Sequence, residues 1–225
     1  MRKVIASAFV SMDGVMQAPG GPEEDPTGGF KYGGWVAPFV DQDPVFGAEI
    51  GKLFGEPCDL LLGRRTYEIF AAHWPYAEQG PHDEIARTFN RITKYVATRK
   101  GVDLSWKGSV ALSDGARDVA KLKQQAGPAL VTQGSATLVH SLLAAGLVDE
   151  IRCFTFPLLL GKGKRLFGDD SEPHAFKLSH SAVSPNGIIV ATYVRAGAVA
   201  TTTVSGAEVP TAAELARREK LKHEG

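Results

Sequence analysis

Short apolar runs, each broken by a glycine-bearing turn and followed by a helical pattern, repeat along this chain. Val4–Val10 is apolar without alternation, as a strand covered on both faces requires. Cys58–Leu62 has the same character and runs into Gly63-Arg64-Arg65-Thr66. Behind that turn Tyr67, Phe70, Ala71 and Trp74 recur at i, i+3, i+4, i+7, one apolar helical face. Thr93–Thr98 reads as a strand ending at Thr98-Arg99-Lys100-Gly101. Ala129–Thr132 meets Gly134 and Ser135, a helical pattern starts at once and stops at Gly146, and Asp149–Phe156 is strand again. Strand, small-residue turn, helix, strand is a βαβ unit. Further helices are expected over Pro44–Phe54, over Asp83–Asn90, and from a cap at Ser113 or Asp114 through Ala116, Val119, Ala120 and Leu122 to the stop at Gly127-Pro128.

Near the end, Phe176–Val183 and Ile188–Val194 flank Ser184-Pro185-Asn186-Gly187, a hairpin signal. The expected fold is therefore α/β: a mostly parallel central sheet flanked by helices, with a closing antiparallel hairpin. Residues 1–195 read as one domain and 196–225 as a tail with a short helix over Pro210–Lys222, frayed or docked on a partner chain. Residues 17–45 form a long irregular segment in which Phe30, Tyr32 and Trp35 stand among glycines. Such a segment covers a ligand, or is a surface loop that packs its own aromatics.

The 225 residues are 44% hydrophobic and 22% charged with a formal net charge of +0, an ordinary globular balance that gives no electrostatic case for nucleic acid or an anionic membrane. No run approaches the ~20 apolar residues of a membrane span, and the N-terminal apolar run stops at Val10, so a strand rather than a signal peptide is expected. A cytoplasmic protein follows, with Cys58 and Cys153 as buried free thiols inside strands. The six histidines have no metal-ligand spacing, so no metal is expected, and His140 and His180 read as structural. There is no Gly-x-Gly-x-x-Gly after the first strand, Gly161-Lys162-Gly163-Lys164 lacks the P-loop's following Ser/Thr, and Ser135 lacks a nucleophile elbow.

Three strand ends bring related groups to one sheet edge: Gly63-Arg64-Arg65-Thr66, Thr98-Arg99-Lys100 and Gly134-Ser135-Ala136-Thr137. Ligands of mostly parallel sheets bind beyond the carboxyl ends of the strands. Two helix N-termini with Arg64, Arg65, Arg99 and Lys100 gathered over them suit a ligand with two or three phosphates. A basic group on the middle turn matches an adenosine 2′-phosphate, which favours NADPH over NADH.

Leu62-Gly63-Arg64-Arg65-Thr66-Tyr67-Glu68 resembles the first cofactor turn of dihydrofolate reductases. Ser11-Met12-Asp13-Gly14, Gly134-Ser135-Ala136-Thr137-Leu138, Leu147-Val148-Asp149-Glu150 and Pro157 through Phe167 resemble the reductase domain of the bacterial riboflavin pathway. The likeness spans roughly residues 2–195 and places the chain in the dihydrofolate-reductase-like group. It implies NADPH as hydride donor, a small-molecule substrate and a homodimer. It further implies that Gly63, Arg64, Arg65 and Thr66 hold cofactor phosphates, that Thr98 and Arg99 lie near the adenosine ribose and its phosphate, and that Gly134, Ser135, Ala136, Thr137 and Leu138 cradle the pyrophosphate, with Gln133 also in the cofactor site. Ala8 and Phe9 would offer backbone to the nicotinamide. Asp13, Trp35, Gly161 and Gly163 would face substrate, with Asp13 binding it or relaying a proton.

Two departures stand out. Gln133-Gly134 replaces the cis Gly-Gly of dihydrofolate reductases, and a neutral Gln133 stands where riboflavin-pathway reductases carry a substrate-binding Glu. The acid expected on the helix before Gly63 is offered only by Glu49, which otherwise reads as an exposed helix carboxylate. No deaminase motif precedes the domain, so the two-headed riboflavin enzyme is not expected. The reading is an NADPH-dependent reductase acting on a C=N or C=O of a small heterocycle. A true dihydrofolate reductase and a non-catalytic nucleotide-binding protein of the same fold are the alternatives.

Overall fold

Strand β1 (Val4–Ser11) is central because both its faces are apolar. Val4, Ala6, Ala8 and Val10 enter one buried cluster, and Ile5 and Phe9 face another across the sheet. The computed structural model describes residues 1–80, 82–99, 101–168, 171–202 and 209–224. Lys100, one of the expected phosphate-binding cations, lies outside the described residues, as do 203–208 of the tail.

Around β1 run β2 (Cys58–Gly63), β3 (Lys94–Ala97), β4 (Ser109–Leu112), β5 (Ala129–Gln133), β6 (Glu150–Phe156), β7 (Ala175–Val183) and β8 (Ile189–Gly197). One eight-stranded sheet results, in the order β4-β3-β2-β5-β1-β6-β8-β7. The first six strands are mutually parallel, while β8 is antiparallel to β6 and β7 to β8. The expected class is found, a mostly parallel sheet with an antiparallel closing pair. The turn at 184–187 closes that pair, with Gly187 at a φ of +84° where a side chain would be strained. β8 runs to Gly197, past the expected domain end at 195.

Helices cover both faces. After α1 (Ala37–Val40), the helices α2 (Pro44–Gly55), α3 (Arg64–His73) and α4 (Asp83–Arg91) lie on one side, where Leu60, Leu62 and Val96 meet Tyr67 and Phe89. On the other side α5 (Gly115–Gln124) and α6 (Ala136–Ala144) bury Val119, Leu138, Val139, Leu142 and Leu143 on Leu61 and Leu130. Leu60, Leu61 and Leu62 are all fully buried, each worth about 1.5–3 kcal/mol over exposure. That is why a run without alternation is the right signature for β2. α7 (Ala212–Leu221) starts at Thr211, whose hydroxyl accepts from Glu214 N–H, and buries no residue. α5 starts from Asp114, one of the two expected cap positions, but the Asp114 side chain makes no cap bond, and Asp118 accepts the Asp114 N–H at 3.1 Å.

At the opposite edge from the turns, Arg2 ties the strand starts together. Its guanidinium pairs with Asp59, Nε donates to Pro128 O at 2.7 Å, and the group lies 5.2 Å over the Tyr95 ring. Both charges are nearly inaccessible, so removing one leaves the other buried and unpaired. Arg2→Ala should therefore cost about 3–5 kcal/mol, measured as a shifted urea midpoint; a loss under about 1 kcal/mol would contradict this account.

Candidate active site

The turn from β5 into α6 holds two consecutive left-handed residues, Gly134 at φ +83° and Ser135 at +67°. A serine there costs about 1–2 kcal/mol and persists only where surroundings enforce it. Here its hydroxyl does so. Ser135 Oγ accepts the Gly63 N–H at 2.9 Å and donates to Thr66 Oγ1 at 2.9 Å, reaching from one helix start to the other. Gly134 N–H donates to Ser7 O at 2.9 Å, which fixes the turn against β1. Neither α3 nor α6 has a side-chain cap. The amides of Arg64, Arg65 and Thr66, and of Ala136, Thr137 and Leu138, are thus left without intrahelical partners at two adjacent positive helix ends.

The end of β3 completes the edge. Thr98 N–H donates to Leu112 O at 3.0 Å, while Thr98 Oγ1 is buried with no partner. Gln133 Oε1 is likewise buried and unpartnered. Buried polar atoms are nearly always satisfied, so these two, at the ends of β3 and β5 along the carboxyl edge of the sheet, are exceptions. Arg99 is exposed, Arg64 pairs with Glu68 at 2.9 Å, and Arg65 stands 4.0 Å from Asp25. Ala8 is buried within β1, opposite Cys153 of β6. All peptide bonds among the described residues are trans, Gln133–Gly134 included.

The expected substrate side is built differently from its sequence reading. Asp13 does not stand free: its carboxylate accepts from Ser11 Oγ at 2.6 Å, Leu160 N–H at 3.1 Å and Gly161 N–H at 2.8 Å, with Arg165 at 3.5 Å. The Ser11 hydroxyl above all, and then these two amides against a desolvation cost, pull its pKa to about 2. An anion held this way pins the 157–165 segment to the end of β1 and has no proton to relay. Trp35 is core rather than cover, 7% exposed, its indole donating to Gln17 O at 2.8 Å and meeting Phe156 edge-on.

Gly161 and Gly163 do line an open groove of about 560 Å³, with Phe30, Tyr32, Lys162 and Lys164. A Cβ on Gly163 would come within 2.5 Å of Val15, so this position tolerates only glycine. Glu49 is not an exposed helix carboxylate: it is 3% exposed and bonded to Lys52 at 2.6 Å and His180 at 3.1 Å. It lines a separate recess with Glu150, Arg152 and Thr192, not the groove. A signal for its burial was available, because Phe46, Glu49, Ile50 and Leu53 fall at i, i+3, i+4, i+7.

Sequence reasoning missed Gln17. Its amide donates to Asp25 O at 2.9 Å and Thr27 O at 2.8 Å and accepts from Lys164 N–H at 3.1 Å, joining both walls of the groove. Cys58 and Cys153 are buried free thiols as expected, with burial first pushing their pKa values up to about 11 and about 12. No cluster of metal-ligating side chains occurs among the described residues.

An eight-stranded, mostly parallel sheet flanked by helices and closed by an antiparallel hairpin is the dihydrofolate-reductase-like architecture. The RibD C-terminal domain model matches residues 2–190, and the chain belongs to that family. It is 24% identical over 193 residues to the uncharacterized protein YyaP of Bacillus subtilis (strain 168), covering 85% of this chain and 94% of that one. A putative riboflavin biosynthesis protein from Shewanella sp. PV-4 superposes with a TM-score of 0.58 at 21% identity, over 86% of this chain and 99% of that chain. Dihydrofolate reductase from Enterococcus faecalis, complexed with NADP(H) and RAB-propyl, superposes with a TM-score of 0.50 at 16% identity, over 86% and 96%.

Two outcomes follow. Ser135→Ala removes a bridge of two hydrogen bonds and should cost about 1–3 kcal/mol in denaturant unfolding, whereas Ser141→Ala on the exposed side of α6 should change little. Asp13 has a folded-state pKa below its ordinary value of 3.8. The stability it contributes is present above about pH 4 and lost as pH falls through about 2. Asp13→Asn should flatten the stability profile over that window; an unchanged slope would contradict the assigned bonds.

Proposed function

We propose that this chain is an NADPH-dependent reductase that transfers a hydride to a C=N or C=O of a small heterocyclic substrate. The observation that carries the reading is the pair of uncapped helix N-termini joined through Ser135. Six free amides and two positive helix ends in one place suit a pyrophosphate, and Arg64, Arg65 and Arg99 add cations around it. The unpartnered Thr98 Oγ1 and Gln133 Oε1 offer an acceptor or donor to a ribose hydroxyl and an acceptor to an amide. The residues present therefore fit the cofactor. Membership of a reductase family and the NADP(H) bound to the enterococcal relative support the same reading.

When bound, NADPH would supply the hydride from its nicotinamide ring. The chain supplies position. Phe9, Phe46, Phe154 and Phe156 form a tilted and edge-to-face cluster over the end of β1 that keeps water from that part of the sheet. Phe30 and Tyr32, edge-to-face with one another, give the groove aromatic surface against which a flat ring would pack. Asp13 is ionised and fully engaged, so the reading assigns the proton that accompanies the hydride to solvent. Dihydrofolate itself is disfavoured by Glu49, whose carboxylate is committed to Lys52 and His180. Homodimer formation and a cytoplasmic location belong to the same reading; light scattering tests the first.

NADPH titration followed by tryptophan fluorescence should saturate well below millimolar cofactor, and no saturation there would sink the reading. Arg64→Ala and Arg99→Ala should each weaken NADPH by about tenfold and NADH by less. Equal losses for the two nucleotides would remove the 2′-phosphate assignment. A protein that binds NADPH but reduces no heterocyclic C=N or C=O compound would be the non-catalytic alternative.

A further inference from the structure

Asp25 sits between the cofactor turn and the groove. It is 8% exposed and faces cations from two different parts of the chain. Lys164 Nζ donates to its carboxylate and, at 2.9 Å, to Thr27 Oγ1. Arg65 Nη1 stands 4.0 Å away, in the first turn of α3. Lys164 and Thr27 line the groove, whereas Arg65 belongs to the turn whose amides are free. The bonds from Gln17 to Asp25 O and Thr27 O hold this corner in place, so Asp25 cannot follow Arg65 if Arg65 moves. Burial pushes the Asp25 carboxyl up, but hydrogen bonds from Lys164 and Thr27 outweigh it and keep the group ionised.

We propose that Asp25 is a positioning residue that couples the two sites by competing with the nucleotide phosphate for Arg65. Arg65 is shared between the α3 N-terminus and Asp25. A pyrophosphate at the α3 N-terminus carries two negative charges against the carboxylate's one and draws Arg65 to itself. Asp25 is then left with Lys164 as its cation beside the Thr27 hydroxyl, which tightens the 25–27 wall of the groove. Cofactor binding thereby prepares the groove, and by reciprocity a ligand that tightens the same wall raises nucleotide affinity. This inference rests on the cofactor reading proposed above.

The test is a double-mutant cycle on NADPH affinity, read by fluorescence titration. Asp25→Asn keeps the shape and removes the competing charge, so NADPH should bind about two- to fivefold tighter. Simple damage to the loop would weaken binding instead. In an Arg65→Ala background the Asp25→Asn gain should vanish; a gain that survives there would overturn coupling through Arg65. Lys164→Met leaves Asp25 with Arg65 as its one cation and should weaken NADPH, and it decides the matter if Asp25→Asn does not fold. No change or a gain in Lys164→Met would overturn the proposal. Wild-type protein that never saturates with NADPH would overturn the cofactor reading and this proposal with it, whereas saturation with a flat cycle would overturn this proposal alone.

Discussion

One hydroxyl group sets the geometry on which the site depends. Ser135 Oγ accepts from the start of α3 and donates into its first turn, while its own backbone begins α6 in a left-handed conformation. A conventional cap would turn that oxygen inward onto the amides of its own helix. Spending it on the neighbouring helix leaves both sets of amides open and fixes their separation. β2 and β5 pair directly, so the two helix ends they feed are neighbours by topology. The hydroxyl converts that neighbourhood into a defined double site. Under the proposed cofactor reading, a phosphate would need no reorganisation of either helix, which is what a preorganised anion site requires.

The same separation of roles appears in the loops. Asp13 and Asp25 are both anions held by several donors, and each joins the segment before α1 or the end of β1 to the 160–165 segment. Val15 and Arg165 form an antiparallel bridge between these strips, and Gln17 closes the contact. The groove is therefore walled by two strips bonded to one another. Its carboxylates shape the walls, and proton transfer falls outside what these held anions do. In the proposed reaction the protein's part is placement, with Asp13 and Asp25 kept for the frame of the groove.

Much of the frame was legible because it rests on local patterns. The apolar runs at 4–10 and 58–62, the helical face of Tyr67 and Phe70, and the Pro-Asn-Gly turn each contain their own information. β4 was not legible: it is four residues long, lies at a sheet edge and leaves Val110 44% exposed. Gln17 sits in a segment without periodicity, and its meaning depends on Lys164, 147 residues away. Ser135 could be read as a turn residue, but its partners lie 72 and 69 residues earlier and only the fold brings them together. Trp35 and Asp13 carried the right chemistry for cover and acid roles, yet burial and donors decided otherwise. Residue type names what a side chain can do, and long-range contacts choose among those uses.

A crystal structure of the protein soaked with NADPH tests the central claim most directly. The account predicts the pyrophosphate within hydrogen-bond distance of the amides of Ala136–Leu138, with Arg64–Thr66 on its other side and the Ser135 bridge unbroken. Nucleotide bound away from these two helix ends, or at them only after the Ser135 bonds to Gly63 and Thr66 have opened, would contradict it.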